Sequence, residues 1–237
     1  MAPYVDEAIL NDPDLIAERD SRDTLVALAT AGAQVRQAIT MSREAGIERV
    51  AGGDRPRSVL VASLGGSAVV ANVLELLAEP GSPVPVTVRR NLPLPGWVGP
   101  LDLVVAVSLS GRAPGPLAVA AEAVRRGASL LTVGAADSPL AEVCARARGV
   151  HIAVARGATS SRAALWSLLT PVVLAAHALG LLEAGASVLF QTADRLDLPS
   201  HACRPRSDSF CTPHTALSPR PARTLPALLS ASPPTTP

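Results

Sequence analysis

Three short stretches of the chain combine hydroxyls and glycines in a pattern that could hold an anion. Leu64-Gly65-Gly66-Ser67 follows the apolar run SVLVAS and leads straight into a helix-like segment. Its glycines let the backbone approach a ligand, and the helix start offers free N–H groups with a partial positive charge. Ser108-Leu109-Ser110-Gly111 closes the run LDLVVAV. Its two hydroxyls can donate to phosphate oxygens while Gly111 frees the next amides. Gly157-Ala158-Thr159-Ser160-Ser161-Arg162 follows VHIAVA, and Arg162 could clamp the same phosphate with its planar fork. Singly, each stretch also reads as an ordinary turn or helix cap. All three at strand ends of one sheet point to a cradle for a small phosphorylated molecule.

The elements that must position these loops are legible from hydrophobic periodicity. SVLVAS, VPVTV, LDLVVAV, ASLLTV and VHIAVA are short, valine-rich apolar runs of the length of fully buried strands. Helix-like segments separate or follow them: Ser67 to Glu79, Pro116 to Arg126, Ser138 to Arg148 and Arg162 to Leu182. Alternation of this kind predicts a five-stranded parallel sheet covered by helices on both faces, with ligands bound beyond the carboxyl ends of the strands. Residues 1–57 read as a helical lead-in, with Ser21 an N-cap, Leu25, Leu28, Ala29, Val35 and Ile39 on the apolar face, and Gly46 near a C-cap. Residues 58–198 form the α/β domain, and 199–237, rich in Pro, Ser and Thr, form a disordered tail.

Composition narrows the function. At 237 residues with 48% hydrophobic residues, the chain can bury one substantial core. A formal net charge of +1 and an aromatic content of 2% argue against a nucleic-acid partner. Cys144, Cys203 and Cys211 form no Cys-x-x-Cys pair, and the N-terminus has acidic residues where a signal peptide needs basic ones, so a cytoplasmic setting is expected. Ala163 to Leu182 lacks charge and approaches the ~20 residues that cross a bilayer. Pro171, His177 and the absence of a basic flank make a buried or subunit-interface helix the preferred reading, and with it a homodimer and no membrane. His201, Cys203, Cys211 and His214 lie close together, but their spacing fits no common zinc module, and no metal or other cofactor is expected.

The dinucleotide fingerprint is missing: no Gly-x-Gly-x-x-Gly follows the first strand, and the second ends in VRRNLP rather than a ribose-binding acid. Instead LGGSAVVANVL, VAVSLSGRAPGPLAVAAEAVRRGASLLTV, RGATSSRAALWSLLTPVV and the PVPVTVRRNLPLPGWVGPLDLVVAVS passage resemble the sugar isomerase (SIS) fold. The likeness is greatest to the bifunctional phosphoglucose/phosphomannose isomerases and runs from about Ser58 to Leu182. It implies a three-layer α/β/α domain in which Ser67, Ser108 and Ser110, with Gly65, Gly66 and Gly111, hold a sugar phosphate and Arg162 sits near the reacting carbons. Where that family usually has a threonine, three residues past the second serine, this chain has Ala113.

A second SIS-like half, which in those isomerases brings a glutamate base and a histidine, has no counterpart after Leu198. Aldose–ketose isomerisation needs a base within hydrogen-bond reach of the carbon proton. Glu122, Glu142 and Glu183 fall in or at the ends of helices, where solvated carboxylates are usual, while His151 and His177 read as structural. No catalytic residue is assigned. Two readings of function therefore stand: an isomerase interconverting glucose or mannose 6-phosphate with fructose 6-phosphate, and a module that binds a phosphosugar without turnover. A third is a truncated or frameshifted product whose original ending is lost.

Overall fold

A computed structural model describes residues 12–21, 23–155, 157 and 160–202. Five strands form one wholly parallel sheet: β1 (Val59–Ser63), β2 (Val86–Arg89), β3 (Leu103–Ser108), β4 (Ser129–Gly134) and β5 (Val150–Ala153), in the order β2-β1-β3-β4-β5. Every residue of β1 and β3 is buried, as expected of central strands covered on both faces. The expected five-stranded, three-layer α/β/α architecture is the observed one.

Eight α-helices are found among the described residues. Three precede the sheet: α1 (Pro13–Arg19), α2 (Thr24–Ala29) and α3 (Ala31–Glu44). Four alternate with or follow the strands: α4 (Ala68–Ala78), α5 (Pro114–Arg125), α6 (Pro139–Arg146) and α7 (Leu165–Ala178). Helices α3, α4 and α7 bury Val35, Ile39, Val70, Leu74, Leu168 and Val172 against the odd-numbered face of β1, β3 and β4. Helices α5 and α6 bury Val119, Ala123, Leu140 and Cys144 against Leu60, Val104 and Leu130 on the other face.

The lead-in departs from its sequence pattern. Ser21 does not cap a helix; Asp12 caps α1, and the Asp20 carboxylate accepts from the N–H groups of Thr24 and Leu25 at the start of α2. Leu25 and Leu28, expected to face the core, are 44% and 60% exposed, and Ala29 is exposed too, because α2 ends at Thr30 as a separate short helix and does not continue the buried face of α3. Val35 and Ile39 are buried, and Gly46, with φ +72°, follows the end of α3 as a left-handed terminator.

An eighth helix, α8 (Ala186–Ala202), has no counterpart in the sequence reading and continues four residues past the boundary drawn at 198. It docks on α3. Leu189 and Ala193 are buried, Arg36 pairs with Asp194 and Asp197 at 2.6 and 2.8 Å, and Gly32 lies so close that an added Cβ would overlap the Asp197 carboxylate. The remaining tail and Cys203, Cys211 and His214 lie outside the described residues. Among the described residues no cluster of His, Cys, Asp and Glu could hold a metal, and no helix is long and apolar enough to cross a membrane; α7 spans 14 residues, with Pro171 inside it.

Candidate phosphate-binding site

Strand order decides where the site lies. The chain moves from β1 outward to β2, then returns to β3 on the other side of β1, so the loops leaving β1 and β3 diverge and open a crevice at the carboxyl edge. Two of the three hydroxyl–glycine stretches are those loops.

After β1, Leu64 is extended, Gly65 adopts φ +64°, and a 3-10 turn over Gly65–Ser67 runs into α4. A Cβ added at Gly65 would find nothing within 4 Å, so the space above this turn is open. Ser67 is buried at the helix start, yet its hydroxyl makes no capping bond. A Cβ at Gly66 would lie 3.1 Å from Ser161 Cβ and 3.5 Å from Arg162 Cγ, so the loop after β5 packs directly on the loop after β1.

After β3 the turn is held by its own amides. The Gly111 N–H donates to the Ser108 carbonyl at 2.9 Å, Ala113 N–H to Ser108 Oγ at 3.4 Å, and Arg112 N–H to Ser110 Oγ at 3.3 Å. Both serine hydroxyls thus accept from the backbone and keep their protons as donors for a ligand. Gly111 has φ +62°, and a Cβ there would overlap Ser138 Oγ and Cβ. This glycine is required both by its backbone and by close packing. Ser138 in turn caps α6, accepting from Ala141 N–H at 3.3 Å and donating to the Ala135 carbonyl at 2.7 Å. Ala135 N–H donates to the Leu109 carbonyl and Leu140 N–H to that of Gly111, joining the loops after β3 and β4.

Together these loops line a cavity of about 640 Å³ that includes Ser67, Ser108 and Ser110, with Ala113, Asp137, Ser160 and Ser161. The volume suits a small ligand. A second cavity, of about 770 Å³, lies between α4 and β2 around Asn72, Glu75 and Val84, away from the serine loops. Among the candidate residues, the three serines come together at one cavity, while Gly65, Gly66 and Gly111 lie in the turns that carry them and are not among its described lining residues. Arg162 is exposed at the rim, its stem over Gly66, and is not among the described lining residues.

Asp137, Ser160 and Ser161 were not singled out individually from the sequence. Asp137 is the one ionisable side chain among the described lining residues. Its signal was weak, since Asp-Ser-Pro before an apolar run reads as a helix start. The other titratable candidates lie elsewhere. Glu122 is engaged by Arg125 and Arg126, Glu142 faces Arg146 along α6, and Glu183 and His177 border a separate cavity near Leu77. His151 shares a 2.7 Å hydrogen bond with Thr132 through Nδ1, and its Nε2 is buried without a partner. Burial pushes the His151 imidazole below its ordinary value, against a smaller opposing effect of the Ala135 backbone.

No family model matches the chain. Over 125 residues it is 30% identical to a bifunctional phosphoglucose/phosphomannose isomerase of Caldicellulosiruptor bescii, covering 53% of this chain and 36% of that protein. The chain therefore matches little more than a third of that relative's length. Among solved structures, a candidate phosphosugar isomerase of Silicibacter pomeroyi DSS-3 superimposes with a TM-score of 0.58 at 22% identity, covering 78% of this chain and 58% of that one. The C-terminal domain of glucosamine-fructose-6-phosphate aminotransferase from Francisella tularensis gives 0.51 at 14% identity, covering 78% and 56%. The sugar isomerase domain of an RpiR transcription factor from Sphaerobacter thermophilus gives 0.50 at 20% identity, covering 70% and 94%. With its five parallel strands in this order, the chain has a sugar isomerase (SIS) type fold, and its sequence is similar to part of a bifunctional phosphoglucose/phosphomannose isomerase.

Proposed function

We propose that the chain binds a phosphorylated hexose, with the phosphate held by the hydroxyls of Ser67, Ser108 and Ser110 and the amides of the turns around Gly65, Gly66 and Gly111. The observation that carries this reading is the convergence of three serines from two strand-end loops on one cavity of about 640 Å³ at the point where the strand order reverses. Hydroxyl donors to a phosphate form charge-assisted bonds worth about 1.5–3 kcal/mol each. Ala113 supplies no side-chain donor, so Ser67, Ser108 and Ser110 carry the side-chain contribution at these two loops. The cytoplasmic setting and the homodimer expected from the sequence belong to the same proposal, and sedimentation of the purified chain tests the second.

Turnover is a separate matter. Interconversion of glucose or mannose 6-phosphate with fructose 6-phosphate passes a proton between adjacent carbons and needs a base at the substrate. No glutamate or histidine is found among the described lining residues, and Asp137 is the carboxylate at hand. That observation favours binding without turnover for this chain, with isomerisation as the rival. Both are tested with fructose 6-phosphate in deuterated water followed by proton NMR. Line broadening or shifts that disappear in Ser67→Ala and Ser108→Ala, with no label at the second carbon, are expected. Label that appears and is lost in Asp137→Asn or Arg162→Ala establishes turnover, and absence of any binding refutes the cradle.

A further inference from the structure

The charge at the carboxyl edge exceeds what one phosphate needs. Among the described residues, the strand ends and following loops on this side carry Arg89, Arg90, Arg112 and Arg162 against one carboxylate, Asp137, a surplus of three positive charges. All four arginines are exposed, and none makes an ion pair among the described residues. At the opposite edge Arg57 is held by Asp102, and Arg126 by Glu122. A phosphate monoester brings about −1.5 to −2 charges, and the cradle meets it with neutral hydroxyls and amides.

Two of these four arginines, Arg89 and Arg90, are displaced from the cradle. Arg89 pairs in register with Ala62, so it ends β2 on the side of β1 away from β3. Arg90 follows, and its carbonyl packs so tightly on Gly115 that a Cβ there would overlap it, which fixes the loop after β2 against the start of α5. Arg112 precedes that same helix by two residues. Arg89 and Arg90 are absent from the described lining of the serine cavity. Because β2 and β3 flank β1, their ends stand about 10 Å apart at ~4.8 Å per strand, which is the span of a hexose bearing an anionic group at each end.

Resting on the phosphosugar reading above, we infer that the ligand is a hexose phosphate carrying a second anionic group at its far end, a phosphate or a carboxylate, received by Arg89 and Arg90. Guanidinium groups suit either anion, since their planar forks match both geometries. Serine hydroxyls alone would not distinguish such a ligand from a monophosphate, whereas the arginine pair does.

The test is titration calorimetry of the purified chain at one fixed low ionic strength with fructose 6-phosphate, fructose 1,6-bisphosphate and 6-phosphogluconate. The unsubstituted chain is expected to bind one or both of the doubly anionic probes at least tenfold more tightly than fructose 6-phosphate, and the preferred probe identifies the second group. Arg89→Ala/Arg90→Ala removes that advantage and leaves fructose 6-phosphate binding as it was, while Arg89→Lys/Arg90→Lys restores part of it. Equal affinity for all three probes in the unsubstituted chain overturns the second subsite and leaves the cradle standing. A pair substitution that weakens all three probes alike also overturns it. Failure of every probe to bind overturns the cradle reading itself.

Discussion

Gly111→Ala probes the turn on which the candidate site depends. The residue has φ +62°, and placing a Cβ carbon in this left-handed region costs about 1–2 kcal/mol. The added carbon would also overlap both side-chain atoms of Ser138. Moving Ser138 aside sacrifices its cap on α6, about 1 kcal/mol, and its bond to the Ala135 carbonyl, about another. The expected destabilisation is therefore about 3–4 kcal/mol, read as a lowered midpoint in urea unfolding followed by circular dichroism. The partner variant Ser138→Gly removes the obstructing atoms together with the two interactions. Combined with Gly111→Ala, it should bring little further loss, because the single alanine substitution has already forfeited what Ser138 contributed. If the two changes instead add to within about 0.5 kcal/mol, Ser138 is not the obstacle and the packing argument fails. Phosphate binding gives a second readout: the turn that presents Ser108 and Ser110 should be displaced in Gly111→Ala and regained in the double variant.

Other consequences follow from particular contacts. Asp102 is buried, which pushes its carboxyl up, but the Arg57 guanidinium, the Gly99 N–H and the Ser58 hydroxyl outweigh burial and hold it below the usual carboxylate range. A depressed folded value adds stability that is present above the unfolded value, about 3.9, and is lost as pH falls through the folded one. Asp102→Asn should lower the unfolding free energy measured in urea by about 1–3 kcal/mol at neutral pH and flatten the acid limb; an unchanged acid limb would refute it. His151 is also depressed, by burial, so stability should begin to fall as pH drops below about 6.5, where the unfolded imidazole takes up a proton that the folded one resists. His151→Gln should remove that slope, measured as the pH dependence of the urea midpoint. Gly32→Ala should detach α8 from α3, because its Cβ would overlap the Asp197 carboxylate and stand 2.6 Å from the Ala193 carbonyl; faster proteolysis after residue 185 with the sheet domain intact is the expected result. Asp137→Asn should tighten fructose 6-phosphate binding by removing a negative charge from the cavity wall, and calorimetry showing weaker binding would mean that the carboxylate holds the sugar.

The sheet and the residue types at its carboxyl edge were legible in the sequence. Runs such as LVVAV are apolar at every position, which suits strands covered on both faces, and their alternation with helix-like segments leaves a parallel sheet as the economical arrangement. The serines and glycines were legible because left-handed turns and hydroxyl donors require those residue types locally. Tertiary structure alone decided that β1 lies between β2 and β3, which turns two separate loops into one crevice and sets Arg89 and Arg90 to its other side. It also decided that Leu25 and Leu28 stay exposed on α2 and that α8 exists as a docked helix. Among the described side chains of helix α8 only Leu189 and Ala193 are fully buried, so its apolar stripe is thin, and the small surface at Gly32 and the pairing of Arg36 with Asp194 and Asp197 help to seat it. Those partners are separated by more than 150 residues along the chain. Periodicity reports what a segment does with its neighbours in sequence, and such pairings exist only once the chain has folded.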